Sequence, residues 1–526
     1  MIRVYARPVK QVTPARPREE RLSTSIIKRR KLGLLPARSG PRIEAHADAP
    51  SQAQADALGA LILLQDPQGT LPAKGRFAAT WRDLHARSAP THAETRIAAL
   101  ADGRCIAVLA YCRADASAFE RLTVAGNACK ALRGLRAEAP RRIGVMASVR
   151  GSARHAAALE ALCAAACAQF FEMPTLRAPK PALEIVDAFE AGTLDVARTQ
   201  ATADGANLVR HLTALPPNVL DAAGYRRALA ALARRHGLQF RWLGEAALRK
   251  AGAGAFLAVS QGGATRDAGI AHLSWRPRGA GGAPDVALVG KGIVFDTGGT
   301  NLKPHRGMLD MHTDMAGSAV ALSMLLALAQ LKHPRRVDAW LAITDNAIGP
   351  KAYRPQDVVT AVNGATIQVI HTDAEGRLVL ADTLALAGAT KPRLMIDFAT
   401  LTGACVTALT ERMSGVFASR DDLPARLVAA GTASGERVWP FPLDEDFDAD
   451  LESRVADVAQ CAVDGKGDHI LAARFLRRFV PDDVAWAHVD LSAATRKGGL
   501  AHVATEETGF GVRFGLSLLL DQEGTA

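Results

Sequence analysis

The sequence predicts an α/β protein with a smaller N-terminal α/β domain and a larger C-terminal domain, the latter built on a central mixed sheet flanked by helices. Three observations predict it. A chain of 526 residues is long for one hydrophobic core. Apolar runs at 285–290, 337–344, 365–370, 393–398 and 484–491 read as strands of one sheet buried between helices. Long apolar stretches of helical length, 315–331 and 379–389, lie between several of them. In such sheets ligand sites form at the carboxyl ends of the strands.

Taken in order, residues 1–55 carry six prolines, many arginines and little apolar pattern, and read as a basic disordered tail. An organelle-targeting leader or upstream sequence from a misassigned start codon remain alternatives for this segment. Residues 56–178 alternate strands (Ala60 to Leu64, Cys105 to Tyr111, Arg142 to Ala147) with helices (Ser117 to Leu135, Ala153 to Cys167), which makes an N-terminal α/β domain. Residues 179–215 read as a linker and a long connecting helix over 183–214, ended by Leu215-Pro216-Pro217-Asn218. Residues 216–526 form the second domain, entered through helix, strand (Gln239 to Leu243), helix and strand (Gly269 to Arg276).

The net charge of +11 resembles a nucleic-acid signal, but its placement argues otherwise. Residues 1–42 hold twelve basic side chains against Glu19 and Glu20, so the remainder of the chain is close to neutral. Seven cysteines show no Cys-x-x-Cys pair and fit a reducing compartment. No run of eighteen or more apolar residues and no charged-then-apolar leader are present, so neither a transmembrane helix nor a secretory signal is expected.

Two stretches carry chemistry. His371-Thr372-Asp373-Ala374-Glu375-Gly376-Arg377-Leu378 lies where an apolar strand should end and a helix begin. In extended chain Asp373 and Glu375 would point to the same side, and Arg377 follows two residues on. Two carboxylates and a guanidinium suit a hard cation with an anion clamp beside it; read alone, the stretch also fits a solvated turn with a local ion pair. The second stretch runs from strand 285–290 through Lys291, Asp296, Gly298, Gly299 and Lys303 to Asp314, at the start of an apolar helix. Its glycines permit unusual backbone angles and close approach to a ligand. If Asp296, Asp314, Asp373 and Glu375 converge, four carboxylates need a counter-charge, which two divalent cations would supply.

These stretches resemble the signature regions of the leucyl aminopeptidases, also called cytosol aminopeptidases. Seven of the eight positions of that family's Asn-Thr-Asp-Ala-Glu-Gly-Arg-Leu pattern match, with His371 replacing Asn. Lys291, Asp296, Lys303 and Asp314 fall at matching spacing, with Thr297 for Ser, as do Asp397 to Ala404 and Trp486 to Asp490. The resemblance covers roughly residues 205–515 and implies a catalytic domain that removes N-terminal residues from peptide substrates by a water bridging two divalent metals. It implies metal ligands Lys291, Asp296, Asp314, Asp373 and Glu375, with two Mn or Zn ions per subunit. It implies catalytic roles for Lys303 (oxyanion stabilisation) and Arg377 (holding bicarbonate as general base), and a side-chain pocket touched by Met311 and Thr400. It further implies a cytoplasmic homohexamer whose N-terminal domain helps assembly, with nucleic acid, bound through the basic tail, as a secondary partner.

Overall fold

The computed structural model describes residues 31–521, apart from 39, 101–102, 136–137 and 179–180. The described residues carry a six-stranded sheet in the order Arg42–Ala45, Ile185–Ala188, Arg142–Ser148, Ala60–Gln65, Ile106–Tyr111, Thr95–Ala99. All neighbours are parallel except the last pair. Ala60–Gln65 and Ile106–Tyr111 are buried along their whole length, as expected of strands covered on both faces. Helices Ala118–Leu135 and Ser152–Gln169 pack together, and Cys129, Cys163 and Cys167 are buried and unbridged in that apolar layer.

The larger sheet has eight strands, ordered Val438–Pro440, Ser414–Ala418, Ala485–Asp490, Leu394–Ala399, Val286–Asp296, Val337–Asn346, Gly269–Trp275, Gln239–Gly244. The third to sixth of these run parallel to one another, and the strands beyond them introduce antiparallel pairings, so the sheet is mixed. Successive side chains feed opposite cores: Val286 and Leu288 enter one, Ala287 and Val289 the other. Helix Ala316–Gln330 fills the first core and helix Glu375–Gly388 the second. A stretch long and apolar enough to cross a membrane, His305–Gln330, is mostly buried inside this packing. Helix Val196–Thr213 packs between Ala316–Gln330 and Ser152–Gln169, and its Asn207 amide donates to the Cys167 carbonyl at 3.1 Å.

Three expectations change. The helix expected over 183–214 begins only at Val196, where Asp195 caps it by accepting from the Arg198 N–H. Ile185–Ala188 is instead a strand, because it completes the ladder between Arg42–Ala45 and Arg142–Ser148. The 365–370 strand does not join the central sheet: Thr366–Gln368 pairs with Val358–Thr360 and Val458–Ala459 in a separate three-stranded sheet. Within the expected tail of residues 1–55, Arg42–Ala45 and Gln52–Ala57 are ordered elements of the smaller layer. Residues 1–30, where most of the basic charge lies, are outside the described residues.

Candidate metal centre

The Val286–Asp296 strand positions the first half of the site. Its pairing with Leu394–Ala399 stops at Gly290, so beyond that point its edge is open for side chains to cross. Gly290 and Gly317 let helix Ala316–Gln330 sit directly on the strands: a Cβ on Gly317 would lie 2.0 Å from the Phe398 carbonyl oxygen. Asp296 ends the strand, and Gly298 (φ +85°) and Gly299 (φ +65°) turn the chain so that the Lys303 N–H donates to the Thr297 carbonyl at 2.9 Å. A 3₁₀ turn, Met311–Thr313, then delivers Asp314 to the start of the long helix.

The second half comes from the turn after Thr366–Gln368. Asp373 is in that turn, and Glu375 is the first residue of the helix. The pair is therefore not extended, and it is the strand-to-helix change that aims the two carboxylates. The Thr372 hydroxyl donates to the Gly298 carbonyl at 2.6 Å and accepts from the Asn301 N–H at 2.8 Å, which ties the two loops together.

These segments bring Lys291, Asp296, Lys303, Asp314, Asp373 and Glu375 into one network. Lys291 Nζ lies 2.9 Å from Asp314 and from Glu375 Oε1, and donates to the Thr400 carbonyl at 2.9 Å. Lys303 Nζ bridges Asp296 Oδ2 at 3.0 Å and Asp373 Oδ1 at 2.6 Å. Asp296, Asp314 and Glu375 are buried, and each offers an oxygen within 4.8 Å of the others. Asp373 joins through Lys303 and is more open than the other three.

The electrostatics are unbalanced. Burial, with Asp296 beside it, pushes the Glu375 carboxyl up to about 8, against the pull of Lys291. Burial likewise raises Asp314 to about 6 although Lys291 opposes it. Burial favours the neutral amine at Lys291, yet Asp314, Glu375 and Asp296 outweigh it and hold this amine above the usual lysine range. Four carboxylates thus face two ammonium groups. Glu375 Oε2 is buried without a hydrogen-bond partner, an uncommon and costly state for a carboxylate oxygen. Three clustered carboxylates, surplus negative charge and an unpartnered oxygen fit a divalent cation.

The remaining predicted residues fall around this cluster. Thr400 donates its hydroxyl to Asp314 Oδ1 at 2.6 Å, so its side chain supports a carboxylate. Met311 stands in the 3₁₀ turn before Asp314, half-buried. The ring of His371 is exposed, and its Nδ1 accepts from the Asp373 N–H at 3.2 Å. Arg377 is buried on the first turn of its helix; Nη1 donates to the Gln460 carbonyl at 3.1 Å, and Nη2 donates to Asp468 Oδ1 and Oδ2 at 2.7 and 2.9 Å. The guanidinium expected to hold a bicarbonate is thus bonded to a carboxylate of the chain itself.

Several contributors were not singled out from the sequence. Asn346, at the end of the neighbouring strand, donates to Asp296 Oδ1 at 2.8 Å and to the Thr372 carbonyl at 3.0 Å. Gln460 accepts from the Ile370 and His371 N–H groups and donates to the Ala374 carbonyl, which fixes the turn. Gly376 makes room for Lys291: a Cβ there would lie 2.5 Å from Lys291 Cε. Asp468 has no neighbouring motif to mark it.

The catalytic domain of the cytosol aminopeptidase family matches residues 207–515. A probable cytosol aminopeptidase of Synechococcus sp. (strain CC9605) is 39% identical over 428 residues, spanning 79% of this chain and 86% of the relative. One from Syntrophotalea carbinolica is 42% identical over 354 residues, 65% and 70% of the two chains. Among solved structures, the bottromycin maturation enzyme BotP in complex with Mn superposes with a TM-score of 0.75 at 30% identity, covering 87% of this chain and 98% of that one. The family match spans more than half the chain and includes every residue of the cluster; this chain belongs to the cytosol aminopeptidase family and is a metalloaminopeptidase.

Proposed function

We propose that Lys291, Asp296, Asp314, Asp373 and Glu375 hold two divalent cations, Mn or Zn, and that the chain uses them to hydrolyse the first peptide bond of peptide substrates. The observation that carries this reading is the buried convergence of Asp296, Asp314 and Glu375, with Glu375 Oε2 left unpartnered. Bound there, divalent cations would supply Lewis acidity, lowering the pKa of a bound water and polarising a carbonyl. Lys291 can donate a lone pair only as the neutral amine, the form its burial favours once the carboxylates' charge is met by cations. Asp296 is oriented by Asn346 and by the Gly298 N–H, each 2.8 Å from its Oδ1. Thr400 orients Asp314 in the same manner.

Lys303 supplies the positive charge of the reaction. Burial works against its ammonium, but Asp296 and Asp373 overcome that and keep it protonated above the usual lysine range. A charged amine at the open edge of the cluster is suited to stabilise the oxyanion of a tetrahedral intermediate. Met311 and Thr400 contribute to the floor against which the first side chain rests. Homohexameric assembly and cytoplasmic residence belong to the same proposal, the latter supported by seven free, buried cysteines.

The test is metal removal. Dialysis against a chelator is expected to abolish hydrolysis of leucine p-nitroanilide, and Mn or Zn to restore it, whereas an N-acetylated leucine substrate stays intact throughout. Undiminished turnover after chelation, with metal loss verified, would end the proposal.

A further inference from the structure

We infer that the anion beside Arg377 is built into the chain: the Asp468 carboxylate takes the place an external bicarbonate would fill, so the reaction runs without one. The inference rests on the peptidase reading above and adds a positioning residue to it.

Arg377 is buried, and both of its terminal nitrogens are engaged. Nη2 spans both oxygens of Asp468 at 2.7 and 2.9 Å, Nη1 is given to the Gln460 carbonyl, and Nε is buried without a partner. The guanidinium side chain is 2% exposed and the Asp468 side chain 26%, so Asp468 stands on the more open side of the pair. Asp468 is also the first residue of helix Asp468–Arg477, entered through Gly467 at φ +61°, and the amino-terminal end of a helix favours a carboxylate. Guanidinium and helix end therefore both hold this side chain in place.

One guanidinium neutralises one anion. A bicarbonate entering beside Asp468 would bring a second negative charge against the first in a mostly buried space. Removing Asp468 reverses the balance. It leaves a buried guanidinium without its counter-charge and a space the size of a small planar carboxylate next to it. A variant lacking Asp468 should draw a small anion from solution, and the native chain should not.

The experiment compares the metal-loaded native enzyme with Asp468→Ala and Asp468→Asn in degassed, bicarbonate-free buffer, then with sodium bicarbonate or formate added at ionic strength matched by chloride. Leucine p-nitroanilide turnover and thermal melting are read on the same samples. The native enzyme is expected to change in neither. Asp468→Ala is expected to lose roughly 10- to 100-fold in kcat, to regain much of it with bicarbonate or formate but not with chloride, and to melt a few degrees higher when they bind. Asp468→Asn, which keeps the volume and loses the charge, is expected to follow in weaker form and serves if the alanine variant does not fold. The inference is overturned if native turnover falls on bicarbonate removal and recovers on its return. It is equally overturned if neither variant responds to either anion in rate or melting. A native enzyme with no turnover under any condition would count against the peptidase reading, while the melting response would still decide the anion assignment.

Discussion

Glu375→Ala is expected to lower kcat on leucine p-nitroanilide by on the order of 10³-fold, about 4 kcal/mol in the barrier. Glu375 supplies one of the three clustered oxygens and is the first residue of its helix. Its removal deletes a cation ligand, but Lys291 keeps Asp314 and the Thr400 carbonyl as partners, so the local packing survives. The same substitution relieves a carboxyl that burial and Asp296 hold near 8. The metal-free variant should therefore melt no lower than the metal-free native protein, the behaviour of a site built for binding at the expense of stability. Glu375→Gln keeps the volume and should lose nearly as much activity, because the charge is what the cation needs. Turnover within about twofold of native, with unchanged circular dichroism, would remove this acid from the reaction.

The second large effect lies beneath the site. Asp382, on the same helix and fully buried, accepts the Phe256 N–H at 2.8 Å and the Val362 N–H at 2.7 Å, which ties two neighbouring segments to it. Burial pushes its carboxyl up from 3.8 to about 7, and the amide donors only partly offset this. A carboxyl raised in the folded state stabilises the fold below its unfolded pKa, and that stability is lost as pH rises through the folded value. For Asp382 the window runs from about 3.8 to about 7. Asp382→Asn carries no such titration; below about pH 4, where native Asp382 is neutral in both states, it costs ~1–3 kcal/mol, because its amide group faces one of the two N–H donors. The stability gap between native and variant, read by denaturant unfolding, should narrow by roughly 3 kcal/mol between about pH 4.5 and about pH 8. A gap independent of pH would contradict the assignment.

Much of the larger sheet was legible because its parallel strands are covered on both faces and so appear as unbroken apolar runs. The cluster was legible where charged residues interrupt those runs at strand ends, as at Asp296, or open a helix, as at Asp314 and Glu375. Other features were set by distant partners. Ile185–Ala188 has no local mark that separates strand from helix, and only the open edge of Arg142–Ser148 decides it. Alternation identified Thr366–Gln368 as a strand without revealing its sheet, because that depends on Val458–Ala459, ninety residues further on. The parity argument for Asp373 and Glu375 failed because the helix starts between them. The fork of Arg377 read as open because its partner, Asp468, is 91 residues away in a loop-to-helix junction without a recognisable pattern.

The most direct test of the account is metal content. Native protein equilibrated with Mn or Zn, freed of excess ion and analysed by mass spectrometry of the metal is expected to carry about two ions per chain, and Glu375→Ala clearly fewer. Native protein that retains no divalent cation, or a Glu375→Ala variant that binds as many as the native chain, would contradict it.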